Sequence, residues 1–358
     1  MRTETTGSGV PTPAETRALE RALVLAALGP AHGPNPRVGC VLLDPEGRML
    51  GEGHHRGAGT PHAEVAAMRD AVTTGGSAHL RGATAIVTLE PCTHTGRTPP
   101  CTDALLAAGV ARVVVGATDP HPVAAGGAEL LRAAGVDVVT GVLAEPCRAL
   151  NRAYLHAVAT GRPFVTLKWA ATLDGRVAAA DGSSRWITGP RARQDVHARR
   201  ATTDAVLIGT GTALRDDPWL TTRTTAPDGT IAVAGHQPLR VVLGERDLPP
   251  AARVLDDAAP SLQLRTRDIG AALAELGRRE VRHLWVEGGP GVAAAFLRAG
   301  VVDELVTYVA PAVLGRGAAA VGDLGVGTIT GALRFRLSDV SRVGGDVVLT
   351  STPEKEPV

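Results

Sequence analysis

Short apolar runs rich in Val, Ile and Leu alternate with Ala- and Leu-rich helical stretches along almost the whole chain. In the first half the strand candidates are RVGCVLLD (37–44), ATAIVTLE (83–90), ARVVVGAT (111–118) and VDVVTG (136–141). Helix candidates lie among them at 14–29, 61–73, 102–109 and 126–134. Continuous apolar strands alternating with helices predict an α/β layer with both faces of the sheet covered. The segments LLAAGVARVVVG and LLRAAGVDVVTG are alike. They read as two helix–Gly–strand units, glycine being a common helix stop.

A seam falls at LNRAYLHAVATGRP (150–163), a helix closed by Gly161 with Pro163 just beyond. The alternation then resumes in FVTLKWAATLDG (164–175), DAVLIGTGTA (204–213), LRVVLGE (239–245), HLWVEGG (283–289), ELVTYVAP (304–311) and DVVLTS (346–351). The stretch TTAPDGTIAVAGHQP (224–238) is rich in turn residues and predicts a loop. Two α/β domains follow, at 14–150 and 160–354.

Composition narrows the picture. A chain of 358 residues suffices for two domains with sizeable cores. Lys plus Arg number 37 and Asp plus Glu 36, so the net charge is +1. No field of one sign would draw in nucleic acid or an anionic membrane. Aromatics are only 3%, so the cores must be built from Ala, Val and Leu. No apolar run has the length of a membrane span. The opening MRTETTGSGVPTPAE lacks a signal pattern and reads as a disordered lead, so a cytoplasmic protein is expected. Four cysteines in this length do not make a disulfide framework. Each is then either buried or used for chemistry.

The stretch TPHAEVAAM (60–68) places His62 and Glu64 two residues apart at a helix start. Inside a regular helix they would point about 200° apart, so both could not ligate one metal there. At a helix start, one could bind a metal while the other reaches a water on it. The same residues also suit plain capping, with Thr60 as N-cap, Pro61 first in the helix and Glu64 at its positive end. LEPCTHTGRTPPC (89–101) adds Cys92 and Cys101. Two thiolates and one imidazole suit tetrahedral zinc with its fourth position open, the arrangement of a catalytic site. A carboxylate that is not a ligand can then move protons. H-x-E followed by P-C-x-x-C marks zinc nucleobase deaminases. Here eight residues separate the cysteines, so THTGRTPP must loop out to bring Cys101 back. His94 and His55 are rival ligands. Cys40, in an apolar strand, and Cys147, on a helix, are expected in cores.

In the second half, HLWVEGGPGVAAAFLRAG carries an apolar strand into Gly288–Gly289–Pro290–Gly291 and an Ala-rich helix. Such a turn offers backbone N–H groups to a phosphate. It could equally be a tight strand–helix turn. Gly289, Gly291 and Ala294 fit G-x-G-x-x-G/A, but the match comes late in its domain and no acidic residue follows at the usual distance. A nucleotide fold other than the Rossmann unit is therefore favoured. Lys168 sits in an apolar strand, where a charge is costly unless paired or functional, and is a candidate phosphate or substrate contact.

Several of these segments together resemble the bifunctional pyrimidine deaminase/reductase family of riboflavin biosynthesis. GPNPRVGCVLL, GEGHHRGAGTPHAEV, VTLEPCTHTGRTPPCTDAL and GVARVVVGATDPHP resemble its first half. LKWAATLDGRVA, SSRWITG, GTALRDDPWLTTR, LWVEGGPGVAAAFL and VDELVTYVAPAVLG resemble its second. The likeness runs from about residue 16 onward. It implies an N-terminal cytidine-deaminase-like αβα sandwich and a C-terminal dihydrofolate-reductase-like α/β domain. Zn(2+) and NADPH are the implied cofactors, with a small-molecule substrate and a homo-oligomeric assembly. His62, Cys92 and Cys101 are the implied zinc ligands and Glu64 the proton shuttle, with Asn35 and His55 lining the pocket. Cofactor contacts are implied for Ala170, Trp186, Thr212, Asp216 and the turn Gly289, Pro290, Gly291, Val292, Ala293, Ala294 and Ala295. Substrate contacts are implied for Ser184, Arg200, Leu220, Arg223 and Glu287, and the two arginines suit a phosphate. The implied reactions are hydrolytic deamination of 2,5-diamino-6-(5-phosphoribosylamino)pyrimidin-4-one, then NADPH reduction of the ribosyl group to ribityl.

The chain departs from that pattern at two places. VVLGE stands where the family reads VVLDS, so Gly244 and Glu245 replace an Asp and a cofactor-adjacent Ser. A carboxylate there would disfavour the NADPH phosphate. DPHPVAAGG replaces DPNPxVAGxG, with His121 for Asn beside the deaminase pocket. Three other readings compete: a specialised-pathway paralogue with one inactive domain, a nucleotide-binding regulator built on a dead enzyme, and a tRNA or DNA deaminase. Glu64, both cysteines and the Gly turn are all present, against the regulator. Neutral charge and scarce aromatics weigh against nucleic acid.

Overall fold

The computed structural model describes residues 9–75, 80–95, 99–225 and 230–354. Residues 1–8 of the N-terminal lead, 96–98 of the inter-cysteine turn and 226–229 lie outside these. The chain divides into two compact units, Met1–Thr160 and Gly161–Val358.

The first unit runs α1 (Pro13–Ala26), β1 (Gly39–Leu43), β2 (Met49–His54), α2 (Ala63–Gly75), β3 (Thr84–Leu89), α3 (Cys101–Ala108), β4 (Arg112–Ala117), α4 (Gly127–Ala133), β5 (Asp137–Thr140), α5 (Ala144–Leu150) and α6 (Arg152–Thr160). Its sheet has the order β2-β1-β3-β4-β5. β1 pairs antiparallel with β2 and β3, while β3, β4 and β5 are parallel. Successive strand residues face opposite sides, and two cores result. Cys40, Leu42, Ala85, Val87, Val113 and Val115 pack under α2, α3 and α4. Val41, Leu43, Ile86 and Val114 pack under Ala18, Leu19, Ala22 and Leu25 of α1. This is the expected αβα sandwich.

The pattern did not predict β2. Its sequence, MLGEGH, is neither strongly apolar nor β-branched, because Gly51 and Gly53 must be small. A Cβ on Gly51 would lie 2.5 Å from the Ala71 backbone nitrogen, and one on Gly53 2.5 Å from that of Ala67. Helix α2 therefore rests directly on the β2 backbone. The start of α1 does follow sequence rules: Thr12 and Glu15 form a reciprocal capping box with Pro13 behind the cap.

The second unit continues β6 (Phe164–Thr172), β7 (Arg176–Ala178), α7 (Pro190–Arg200), β8 (Ala205–Gly209), α8 (Thr210–Asp216), β9 (Arg223–Thr225), β10 (Ile231–Val233), β11 (Leu239–Leu243), β12 (Ser261–Leu264), α9 (Ile269–Arg278), β13 (His283–Val286), α10 (Pro290–Arg298), β14 (Glu304–Ala310), β15 (Ala318–Ala319), β16 (Phe335–Val343) and β17 (Asp346–Pro353). The main sheet has the order β12-β11-β8-β13-β6-β14-β17-β16. It is parallel from β12 to β14, and β17 and β16 add antiparallel. One face packs Leu167, Leu207, Val241 and Leu284 against α9 and α10. The other packs Val206, Ile208, Val242, Trp285 and Tyr308 with Ala192 of α7 and Ala213 of α8.

The predicted loop at 224–238 needs correction. β9 and β10 pair antiparallel there, Arg223 opposite Val233 and Thr225 opposite Ile231. Two short runs, Arg223–Thr225 and Ile231–Val233, pair where only a loop was expected. Ile231 and Val233 stay exposed, so no burial pattern marked the pairing.

Candidate active sites

In the first unit, one end of α2 and the approach to α3 meet. Thr60 does not cap α2. Its hydroxyl donates to the Gly57 carbonyl at 2.7 Å, and the Pro61 carbonyl is taken by His55 Nδ1 at 3.1 Å. The first helical bond instead runs from the Ala66 N–H to the His62 carbonyl, at 2.9 Å. His62 thus sits just outside the helix and Glu64 in its first turn. That lifts the geometric objection to the pair, because the 200° separation applies only inside a helix.

His62 Nδ1 lies 3.2 Å from Cys101 Sγ and 3.6 Å from Cys92 Sγ. One donor atom from each of His62, Cys92 and Cys101 falls within 4.8 Å of the others, the group among the described residues placed to hold a metal ion. The Cys101 N–H also points at Cys92 Sγ, at 3.4 Å. Hydrogen bonding from Cys101 and His62 drives the Cys92 thiol down to about 4, while the Cys101 thiol is pushed up by the same contact and by burial. His62 is raised by its hydrogen bond with Cys92. A thiolate, a second thiol and an imidazole converging this closely fit zinc. Glu64 is almost fully buried and its Oε2 is 3.3 Å from Cys101 Sγ. Burial raises its pKa above the usual carboxylate range.

Asn35 and His55 meet as a pair, Asn35 Nδ2 to His55 Nε2 at 2.9 Å. With Nδ1 donating to Pro61, Nε2 must accept, so the ring is neutral; burial lowers its pKa accordingly. His55 is therefore not a metal donor here, though its ring stands edge-on to His62 at 5.4 Å. His94 also stays out of the donor group and stacks on His121, with ring centroids 6.2 Å apart. Among the described residues its buried Nδ1 has no hydrogen-bond partner. Cys40 and Cys147 are fully buried core residues, as their apolar surroundings implied.

In the second unit, charge gathers on Glu287, at the end of β13. Arg200 grips its two oxygens at 2.5 and 2.9 Å. Trp285 Nε1 donates to it at 2.8 Å, and Lys168 Nζ stands 3.7 Å away. Burial would raise the carboxyl, but Arg200 and Lys168 hold it well below the usual carboxylate range. Burial lowers Lys168. Arg200, expected on a phosphate, is thus committed to Glu287. Arg223 makes no ion pair among the described residues and lies 5.5 Å over the Trp219 ring.

The Gly turn has Gly289 as N-cap of α10. Pro290 has no N–H, so Gly291 and Val292 supply the open donors of the first turn. Space beside Gly291 is empty. A Cβ on Gly289 would lie 3.1 Å from Thr212 Oγ1, which brings that predicted contact to the turn. Val292 instead wedges over the strand ends: a Cβ on Gly209 or Gly288 would meet it at 2.6 or 2.5 Å. Ala293 and Ala294 are buried, and Ala295 packs on the same core. Only the start of the predicted 289–295 stretch is open. This opening lies at the carboxyl ends of parallel strands, where such sheets bind nucleotides. Open N–H groups beside a small glycine fit a dinucleotide phosphate.

The remaining predicted contacts scatter around it. Trp186 is exposed under the Arg193 guanidinium, 4.4 Å from its ring, and Ser184 is half-buried two residues before it. Asp216 pairs with Arg215 at 3.0 Å and its carbonyl accepts from Arg185. Ala170, on β6, lies opposite Tyr308. Leu220 is buried in the core with a left-handed backbone, φ 55°, so its side chain is closed to a ligand. Sequence reasoning missed His197. It stands three residues before Arg200 on α7, and that spacing was the available signal. Its Nδ1 accepts the Arg223 N–H at 3.3 Å.

A thiolate–imidazole site beside a buried carboxylate, and a nucleotide-type site on a second sheet, define a two-site enzyme of the deaminase–reductase class. Residues 13–117 match the cytidine and deoxycytidylate deaminase zinc-binding region, and residues 163–349 the RibD C-terminal domain. The riboflavin biosynthesis protein RibD of Mycobacterium tuberculosis is 50% identical over 318 residues, covering 88% of this chain and 91% of that protein. That of Escherichia coli is 41% identical, covering 92% and 97%. Among solved structures, RibD of Acinetobacter baumannii superposes with TM-score 0.86 at 39% identity, covering 96% of this chain and 99% of that one. A diaminohydroxyphosphoribosylaminopyrimidine deaminase/5-amino-6-(5-phosphoribosylamino)uracil reductase of Thermotoga maritima gives 0.83 at 34% identity, covering 95% and 99%. The chain belongs to the RibD family of bifunctional riboflavin-biosynthesis enzymes.

His197 predicts a pH effect. Burial first, then Arg200, lower its pKa from the ordinary 6.5 to about 4. Between those values the unfolded chain binds a proton that the folded chain refuses. Its contribution is therefore intact above pH 6.5 and is lost as the pH falls toward 4. In urea titrations across this range, His197→Gln is expected to unfold with a shallower pH slope in the second unit. An unchanged slope would contradict the assignment.

Proposed function

We propose that the first unit carries out the deamination on His62, Cys92, Cys101 and Glu64, and the second the NADPH reduction around Glu287 and the Gly289–Val292 turn. The substrate is read as 2,5-diamino-6-(5-phosphoribosylamino)pyrimidin-4-one, whose ribosyl group then becomes ribityl. The observation that carries this reading is the convergence of two thiols and an imidazole within 4.8 Å beside a buried, non-ligating carboxylate.

His62, Cys92 and Cys101 would hold zinc, which supplies a Lewis acid that brings the pKa of water toward 7. Glu64 Oε2 takes one proton of the attacking water and gives it to the ring nitrogen, then carries the remaining hydroxyl proton to the amine, which departs as ammonia. Its burial suits this, since a carboxyl with a raised pKa can both take and give a proton near neutrality. Asn35 and the neutral His55 orient the pyrimidine by hydrogen bonding.

NADPH held in the second unit would supply the hydride. The first-turn N–H groups of α10 would hold its pyrophosphate. Arg223 takes the substrate phosphate. Arg200 acts one step back, fixing Glu287 against the ribosyl hydroxyls, and Lys168 shares that carboxylate.

Four free cysteines, two of them in the site, call for a reducing compartment, and the enzyme is read as cytoplasmic. Among the described residues no helix is long and apolar enough to cross a membrane. The edge strand β16 carries exposed Leu337 and Val340, which supports a homo-oligomer. Sedimentation equilibrium should return a multiple of 36.7 kDa, and a monomer at micromolar concentration would refute that.

Glu64→Gln keeps the shape and removes the proton carrier. Ammonia release should fall by about 10²- to 10⁴-fold while zinc content and NADPH-dependent reduction of supplied deaminated intermediate persist. Ammonia release at the unmodified rate would remove Glu64 from the mechanism.

A further inference from the structure

Three adjacent strands of the second sheet carry glycine at or just past their carboxyl ends: β11 is followed by Gly244, β8 closes on Gly209, and β13 runs through Glu287 into Gly288. Gly244 has φ 133°, and a Cβ there would lie 2.7 Å from Thr210 Oγ1. The chain past Gly244 reads Glu245–Arg246–Asp247, and past β12 it reads Arg265–Thr266–Arg267. Five charges therefore meet at one corner of the sheet.

The structure sorts them into pairs with one left over. Glu245 pairs with Arg267 at 3.1 Å, and Asp247 with Arg265 at 2.6 Å. Arg246 has no ion pair among the described residues. Its Nη2 lies instead 3.0 Å from the point where a Cβ on Gly211 would be. The guanidinium therefore lies against the Gly211 backbone, where a side chain would displace it. Gly211 adjoins Thr212, whose Oγ1 faces Gly289. Gly211 and Thr212 thus link Arg246 to the first turn of α10. The ends of β11 and β13 are two strand spacings apart, about 10 Å. One ribose with its phosphates can bridge that span.

We infer that Arg246 takes the 2′-phosphate of NADPH and sets the preference for NADPH over NADH, an inference that rests on the reductase reading above. The two cofactors differ only in that phosphate. A planar guanidinium binds it bidentately, whereas an acidic residue at a strand end favours the free 2′-hydroxyl. Glu245 is the acidic residue that would argue for NADH. Its pairing with Arg267 removes that objection, and the cation one residue later replaces the serine that this chain lacks at the corner.

The test is equilibrium binding, by isothermal titration of the full chain with NADPH and with NADH. Wild type should bind NADPH more tightly. Arg246→Ala should weaken NADPH about 10- to 100-fold and leave NADH within about 3-fold, removing the preference. Arg246→Lys should keep part of it. Arg265→Ala, already paired in the native chain, should not remove it. Thermal melting of each variant confirms folding. If folded Arg246→Ala keeps the wild-type preference, or loses both cofactors equally, the inference is wrong while the reductase reading stands. If wild type binds neither dinucleotide, that reading falls, and the inference with it.

Discussion

Both sites depend on helices that lie on strand backbone at a distance only glycine permits. In the first unit, Gly51 and Gly53 let α2 rest on β2, and a Cβ at either would meet helix backbone at 2.5 Å. That contact fixes where α2 begins. Its beginning sets His62 outside the helix and Glu64 within it, so one aims at the cysteines and the other stays buried beside them. In the second unit, Gly209 and Gly288 leave room for Val292, which seats the first turn of α10 on the strand ends. Extra methylenes in such contacts typically cost about 1–3 kcal/mol, so the placement is held firmly.

Two buried glutamates show how surroundings divide the chemistry. Among the described residues no Lys or Arg pairs with Glu64, and burial raises its pKa, which suits the proposed proton carrier. Glu287 is somewhat more open, and Arg200 and Lys168 hold its pKa well below the usual carboxylate range, which suits the proposed orienting anion. The proposed roles follow those opposite shifts, an acid–base group in one unit and a fixed charge in the other.

Much of this was legible in the sequence, for identifiable reasons. Strands β1, β3, β4 and β5 are continuous apolar runs, and the helices between them alternate in plain view. Residue types and spacing made His62, Cys92 and Cys101 candidate donors with His55 and His94 as rivals, and the family resemblance chose among them. β2 was not, because the glycines that seat α2 also erase the strand pattern. Nor was the cap, since Thr60 has the right chemistry but its hydroxyl turns back to Gly57. The Arg200–Glu287 pair joins residues 87 apart in the chain, a separation that no local pattern encodes. The ion pairs that free Arg246 are likewise formed between the ends of two different strands.

The central claim is that one chain first deaminates the pyrimidine and then reduces its ribosyl group. Mass spectrometry of the products tests it most directly. With zinc-loaded enzyme and no NADPH, the diaminopyrimidine phosphoribosyl substrate should exchange one amino group for oxygen and go no further. With NADPH added, that product should gain two hydrogens, matched one to one by NADPH oxidised. Two hydrogens gained while both amino groups remain would contradict the order, and an unchanged substrate under both conditions would contradict the account.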